Sequence, residues 1–127
     1  MNKDQALPSM LRSVHTILYS KEWARCVSFY RDVLLFPVAY SNRVFVEFEP
    51  VSGARIGLID ATRSSRRSVS CDSTLLSFCV RDLEKVHALL SRRCPGVSEI
   101  RTHPWGARLF ELKDPEGRRL EFWSPAP

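Results

Sequence analysis

Lys113-Asp114-Pro115-Glu116-Gly117, read beside Glu49-Pro50-Val51-Ser52-Gly53, decides the fold, because each is a Pro- and Gly-containing turn between two strand-like runs. Working outward from the two turns, the chain reads as one unit used twice. Val14-His15-Thr16-Ile17-Leu18-Tyr19 is rich in β-branched and aromatic residues, and Thr74-Leu75-Leu76-Ser77-Phe78-Cys79-Val80 has the same character about sixty residues later. A helix is predicted after each. The first runs from about Lys21 to Leu34, with Trp23, Cys26, Val27, Phe29, Tyr30 and Val33 at three-and-four spacing and Ser20 as its cap. The second starts at the N-cap Asp82, buries Leu83, Val86, Leu89 and Leu90, and ends near Cys94-Pro95-Gly96.

Three strand-like runs follow each helix: Pro37 to Ser41, Arg43 to Glu49 and Ala54 to Asp60, then Ser98 to Thr102, Ala107 to Lys113 and Arg118 to Ser124. Aligning the turns sets Glu47 opposite Glu111 and Gly53 opposite Gly117. On the first strand, period two puts His15, Ile17 and Tyr19 on one face and Val14, Thr16 and Leu18 on the helix side.

Composition narrows the function. With 127 residues and 44% hydrophobic content the chain buries enough surface to fold without disulfides. Cys26, Cys71, Cys79 and Cys94 have no metal-finger or C-x-x-C spacing, which together with an N-terminus unlike a signal peptide gives an expectation of reduced thiols in the cytoplasm. No apolar run is long enough for a bilayer span, so no membrane role is expected. The net charge of +5 invites a nucleic-acid reading, but the basic residues fall in a Ser-rich connector (Arg63, Arg66, Arg67), after a helix (Arg92, Arg93) and after a turn (Arg118, Arg119). These are places where solvated charge is expected, and no nucleic-acid motif accompanies them. His87 and His103 have no neighbouring nucleophile or acid and read as surface residues. No phosphate loop, serine elbow or H-E-x-x-H pattern is present.

Phe29-Tyr30-Arg31-Asp32-Val33-Leu34 resembles the "FYRDVLGF" helix end of the vicinal oxygen chelate superfamily, the group of glyoxalase I, extradiol dioxygenases and bleomycin-resistance proteins. Residues 112–122 resemble its "RDPDGNLLEL" hairpin, and Pro104-Trp105-Gly106-Ala107-Arg108 is similar to a "PWG-x-R" segment of its bleomycin-resistance branch. The resemblance implies an α+β fold over residues 10–125: two β-α-β-β-β modules (11–60 and 73–125, linker 61–72) forming an open mixed-sheet barrel with helices outside. It also implies metal ligands at four strand positions, which fall here on His15, Gly57, Leu75 and Glu121.

Two of those four cannot bind a metal, and a catalytic site of this kind normally has three protein ligands. His15 and Glu121 are therefore the metal candidates, an incomplete set that would hold Zn, Ni, Mn or Fe weakly, and no cofactor is expected. Glu47 or Glu111 would add a ligand only if the strand register turns it inward. A metal-free His15–Glu121 hydrogen bond is the competing reading. Tyr19, Phe45, Leu75, Trp105 and Trp123 are the candidates for lining a ligand pocket. The implied function is small-molecule binding, such as antibiotic sequestration, by a homodimer whose pocket both subunits complete. The alternative is a metal-dependent lyase, like lactoylglutathione lyase, or a transferase with a reduced ligand set.

Overall fold

The computed structural model describes residues 6–63, 74–104 and 106–127. Two four-stranded mixed sheets follow one another. In module one, β1 (His15–Ser20) leads through α1 (Trp23–Ser28) to β2 (Val38–Ser41), β3 (Phe45–Val51) and β4 (Ala54–Asp60), in the order β1-β4-β3-β2. In module two, β5 (Leu75–Cys79) leads through α2 (Leu83–Arg93) to β6 (Arg101–Thr102), β7 (Ala107–Lys113) and β8 (Arg119–Pro125), in the order β5-β8-β7-β6. The first strand of each module pairs parallel with the last, and the other pairs are antiparallel. Helices lie outside and the sheets do not close, which is the expected open architecture. Among the described residues no helix is long and apolar enough to cross a membrane. The predicted linker falls from residue 64 onward outside the described residues, as do Arg66, Arg67, Cys71 and Trp105.

Both helix-side faces feed one core. Tyr30, Phe48 and Leu58 of module one and Phe110 and Leu120 of module two have no exposed surface. Phe36 meets Phe78 with ring centroids 5.6 Å apart, and Phe78 continues into a stack with Phe122 and Phe110. Each such buried aromatic contributes about 1.5–3 kcal/mol of transfer free energy. Helix α1 runs on into a wider π-type turn over Phe29–Val33 and ends at Leu35, whose φ is 57°. Leu35 stands where the resembled helix end has glycine, the residue that takes this left-handed conformation without cost.

Two expectations need correction. Ser20 does not cap α1. It is buried and accepts a 2.7 Å hydrogen bond from Arg118, while the amides of Lys21 and Glu22 donate to the Glu116 carboxylate of the module-two hairpin at 3.0 and 2.9 Å. Arg118 is not a solvated charge. Only 2% exposed, it donates to Asp114 Oδ2 at 3.0 Å and to the Tyr19 carbonyl at 2.7 Å, and Tyr30 donates to the same Asp114 oxygen at 2.7 Å. Burial works against the Arg118 charge, but Asp114's charge and hydrogen bond outweigh it, so the guanidinium stays protonated. Burial, then Asp114, pushes the Tyr30 hydroxyl well above its usual range and the Cys26 thiol up to about 11. The second-module turn is thus a buried ionic clamp on the first module. Among the other basic residues, Arg93 donates to the Val33 carbonyl at 3.1 Å, a further tie between modules.

Candidate functional site

The faces of the two sheets away from the helices carry the candidate residues. On module one, the register sets His15 beside Arg55, Ile17 beside Gly57, and Glu47 beside Gly57 from the other side. Strand alternation therefore gathers His15, Phe45, Glu47, Arg55 and Gly57 on one face. The Glu47 carboxylate, 6% exposed, receives His15 Nδ1 at 2.6 Å and Arg55 Nη1 at 3.1 Å. Donation from Nδ1 selects that tautomer in the neutral imidazole, leaving Nε2 to accept from the Ser13 hydroxyl at 2.8 Å. Arg55 Nη2 lies 3.6 Å from Glu49. The result is a hydroxyl, imidazole, carboxylate and guanidinium in one chain, able to exchange hydrogen bonds with a ligand.

Gly57, the position aligned with Glu121, is filled by its neighbour. A Cβ there would meet Phe45 Cε1, and would sit 2.7 Å from Phe45 Cζ and 3.0 Å from Ile17 Cδ1. The Phe45 ring occupies the space a ligating side chain would need. Leu75, at the third aligned position, is exposed on the edge strand β5. Among the described residues, no three His, Cys, Asp or Glu side chains are grouped to hold an ion. The residues present thus do not fit the divalent metal that the resemblance implies.

On module two, Glu111 and Glu121 are direct cross-strand neighbours. Like charges so placed destabilise a sheet unless compensated. Ser77 donates to Glu121 at 2.6 Å, and Arg101 approaches Glu111 at 3.9 Å. Both carboxylates line a pocket of about 490 Å³ with Ser77, His103, Leu109 and Trp123. All its lining residues belong to module two, so the pocket lacks a wall from the other module. A second cleft of about 720 Å³ is lined by residues of both modules, among them Val14, Thr16, Ile56, Leu76, Phe78 and Phe122.

The structure brings Glu121 and Trp123 together in the module-two pocket, and His15 and Phe45 together on module one. His15 pairs with Glu47 and Glu121 with Ser77, where the sequence left a His15–Glu121 bond open. Tyr19 is half-buried and its carbonyl serves the Arg118 clamp. His103, read from sequence as a surface residue, lines the module-two pocket. His87 is half-buried, packs edge-on against Phe110 and bonds the Ser98 carbonyl at 2.8 Å. Sequence reasoning missed Arg55 and Ser77. The signal for both was alternation: Ser77 shares a face with Leu75, and Arg55 with Gly57.

A family model described as "Glyoxalase-like domain" matches residues 13–125. No curated protein matches the sequence. Among solved structures, a lactoylglutathione lyase from Agrobacterium tumefaciens aligns with TM-score 0.74 at 20% identity, covering 89% of this chain and 92% of its own. A glyoxalase/bleomycin resistance protein/dioxygenase from Nocardioides aligns with TM-score 0.74 at 18% identity over 94% and 89%. The bleomycin-binding protein of Streptomyces verticillus, solved with copper(II)-bleomycin, aligns with TM-score 0.68 at 20% identity over 92% and 97%. At these identities the likeness speaks for the fold. With the matched family model spanning nearly the whole length, the chain belongs to the glyoxalase-like domain family of the vicinal oxygen chelate superfamily.

Proposed function

We propose that this chain binds a small, partly apolar molecule on the module-two sheet face, holding it without turnover. The observation that carries this reading is the contrast in access. The module-two face has an open pocket in which the indole of Trp123 and the side chain of Leu109 offer apolar contact and Glu111, Glu121, Ser77 and His103 offer polar contact. On module one the aligned ligand position is filled by Phe45. The likeness to the bleomycin-binding protein supports a sequestering role, and a second copy of the chain supplies the missing wall, in line with the exposed apolar side chains Ile17, Tyr40 and Leu75 on these faces. Trp105 belongs to the same proposed ligand contact, and a cytoplasmic location is part of the same reading.

The second reading is a metal-dependent lyase, favoured by His15 and Glu121 standing at two aligned metal positions and by the likeness to lactoylglutathione lyase. Titrating bleomycin, with and without copper(II), against tryptophan fluorescence separates the two. Saturable binding weakened about tenfold or more by Trp123→Ala, with no lactoylglutathione lyase turnover in added Ni or Zn, is expected. Turnover that disappears in His15→Ala and Glu121→Ala would make the lyase the better account. Light scattering should give twice the 14.6 kDa chain mass.

A further inference from the structure

We propose that Ser13, His15 and Glu47 form a nucleophilic relay on the module-one face, able to take the acyl group of a small uncharged ester. The Ser13 hydroxyl lies 2.8 Å from His15 Nε2, and His15 Nδ1 lies 2.6 Å from the Glu47 carboxylate. Both distances fall in the range at which a base activates a nucleophile while a third group orients the base. Such a trio is defined by geometry and roles rather than by place in the chain, so it needs no serine elbow.

Ser13 and His15 are two residues apart where the chain enters β1, so their side chains share a face, and Glu47 reaches that face from β3 on the far side of β4. Access falls in the order the chemistry needs: Ser13 is exposed, the His15 side chain is 39% exposed, and Glu47 is buried. Arg55 holds the other Glu47 oxygen at 3.1 Å, which fixes the carboxylate against the imidazole. Ile17 and Tyr40, both exposed and in one cross-strand row with Gly57 and Glu47, offer apolar contact to an aromatic leaving group. In the reaction Ser13 Oγ bonds to the ester carbonyl carbon while its proton passes to His15 Nε2. The carbon–oxygen bond to the leaving group then breaks, and the leaving oxygen takes that proton. Water attacks the acyl-serine, giving one proton to Nε2, and that proton returns to Oγ as the carboxylic acid departs. An aryl ester suits the site because a phenol leaves readily, so proton removal from Ser13 is the main demand. This activity lies on the module opposite the ligand pocket and does not depend on the ligand-binding reading.

A fluorophosphonate and p-nitrophenyl acetate test it on the full chain. With the first, the Oγ–P bond forms as the P–F bond breaks, and fluoride leaves with the hydroxyl proton. Wild-type protein is expected to gain one phosphonyl group per chain, mapped to Ser13 by peptide mass spectrometry, and to hydrolyse the ester through an acetylated Ser13. Ser13→Ala, a change at an exposed position, should lose both at an unchanged melting temperature. His15→Ala should slow labelling about a hundredfold. Glu47 is a positioning residue: Glu47→Gln should lower kcat at least about tenfold with KM unchanged, and Glu47→Asp should recover part of the loss. A wild-type chain that stays unlabelled, label on a residue other than Ser13, or ester hydrolysis as fast in Ser13→Ala as in the wild type would overturn the proposal. A Glu47→Gln kcat equal to that of the wild type would overturn the part given to Glu47.

Discussion

The two hairpins that define the repeat occupy equivalent places and do opposite work. Ser52, Gly53 and Ala54 of the first lie exposed at a sheet end, whereas Asp114 and Arg118 of the second are 4% and 2% exposed and grip Tyr19, Ser20 and Tyr30 of the other module. Topology was repeated while chemistry diverged. The sheet faces show the same divergence: in module one Phe45 and Arg55 close the face from within, and in module two Glu111 and Glu121 are left facing a pocket.

The largest expected effect breaks the hairpin comparison. Arg118→Met strands the buried Asp114 and should cost about 3–5 kcal/mol, because removing one partner of a buried pair leaves an uncompensated charge. The matching change in the first hairpin, Ala54→Met, should stay within about 0.5 kcal/mol at its exposed position. Urea denaturation measures both, and equal losses would show that the clamp has no special part in joining the modules.

Gly57→Glu carries the module-two side chain onto module one. The Cβ must displace the Phe45 ring, at about 1–3 kcal/mol for overpacking. Phe45→Ala in the same chain should recover part of that loss, giving a favourable coupling in a double-mutant cycle. Strictly additive losses would mean that Phe45 does not fill the Gly57 position.

Leu35→Gly should stabilise the fold by about 1 kcal/mol, since a β-carbon opposes the left-handed conformation at φ 57° and Leu35 is 58% exposed, with little packing to lose. A lower melting temperature in this variant would contradict the conformational argument. A smaller contrast lies in the thiols. Cys26, buried and with its pKa pushed up to about 11, should resist iodoacetamide at pH 8.5, while the exposed Cys79 alkylates. Peptide mapping checks the order.

Most of the fold was legible because it rests on local signals. The Pro–Gly turns, the three-and-four spacing of α1 and the N-cap Asp82, whose side chain accepts from the Lys85 amide at 3.1 Å, are all short-range features. Strand β6 is shorter than the predicted Ser98 to Thr102, because the Ser98 hydroxyl and backbone take up the Glu111 amide and carbonyl ahead of it. What was not legible depends on residues nearly a hundred positions apart. The burial of Arg118 follows from its partners Tyr19 and Ser20, and the amides of Lys21 and Glu22 ahead of α1 are met by Glu116 from the other module; neither leaves a local pattern. The inward turn of Glu47 depends on register, and Arg55's importance appears only once β4 lies beside β1 and β3. Leu35 was readable in principle, as a departure from glycine in an otherwise closely matched helix end.

The module-one face, we propose, works without a metal ion. Its most direct test is a crystal structure grown with Zn, Ni, Mn and Fe in turn, with data collected at each absorption edge. The prediction is no anomalous peak beside His15, with Arg55 still on Glu47 and Glu49. A strong peak within about 2.0–2.2 Å of His15 and Glu121, from one chain or from two, would contradict it.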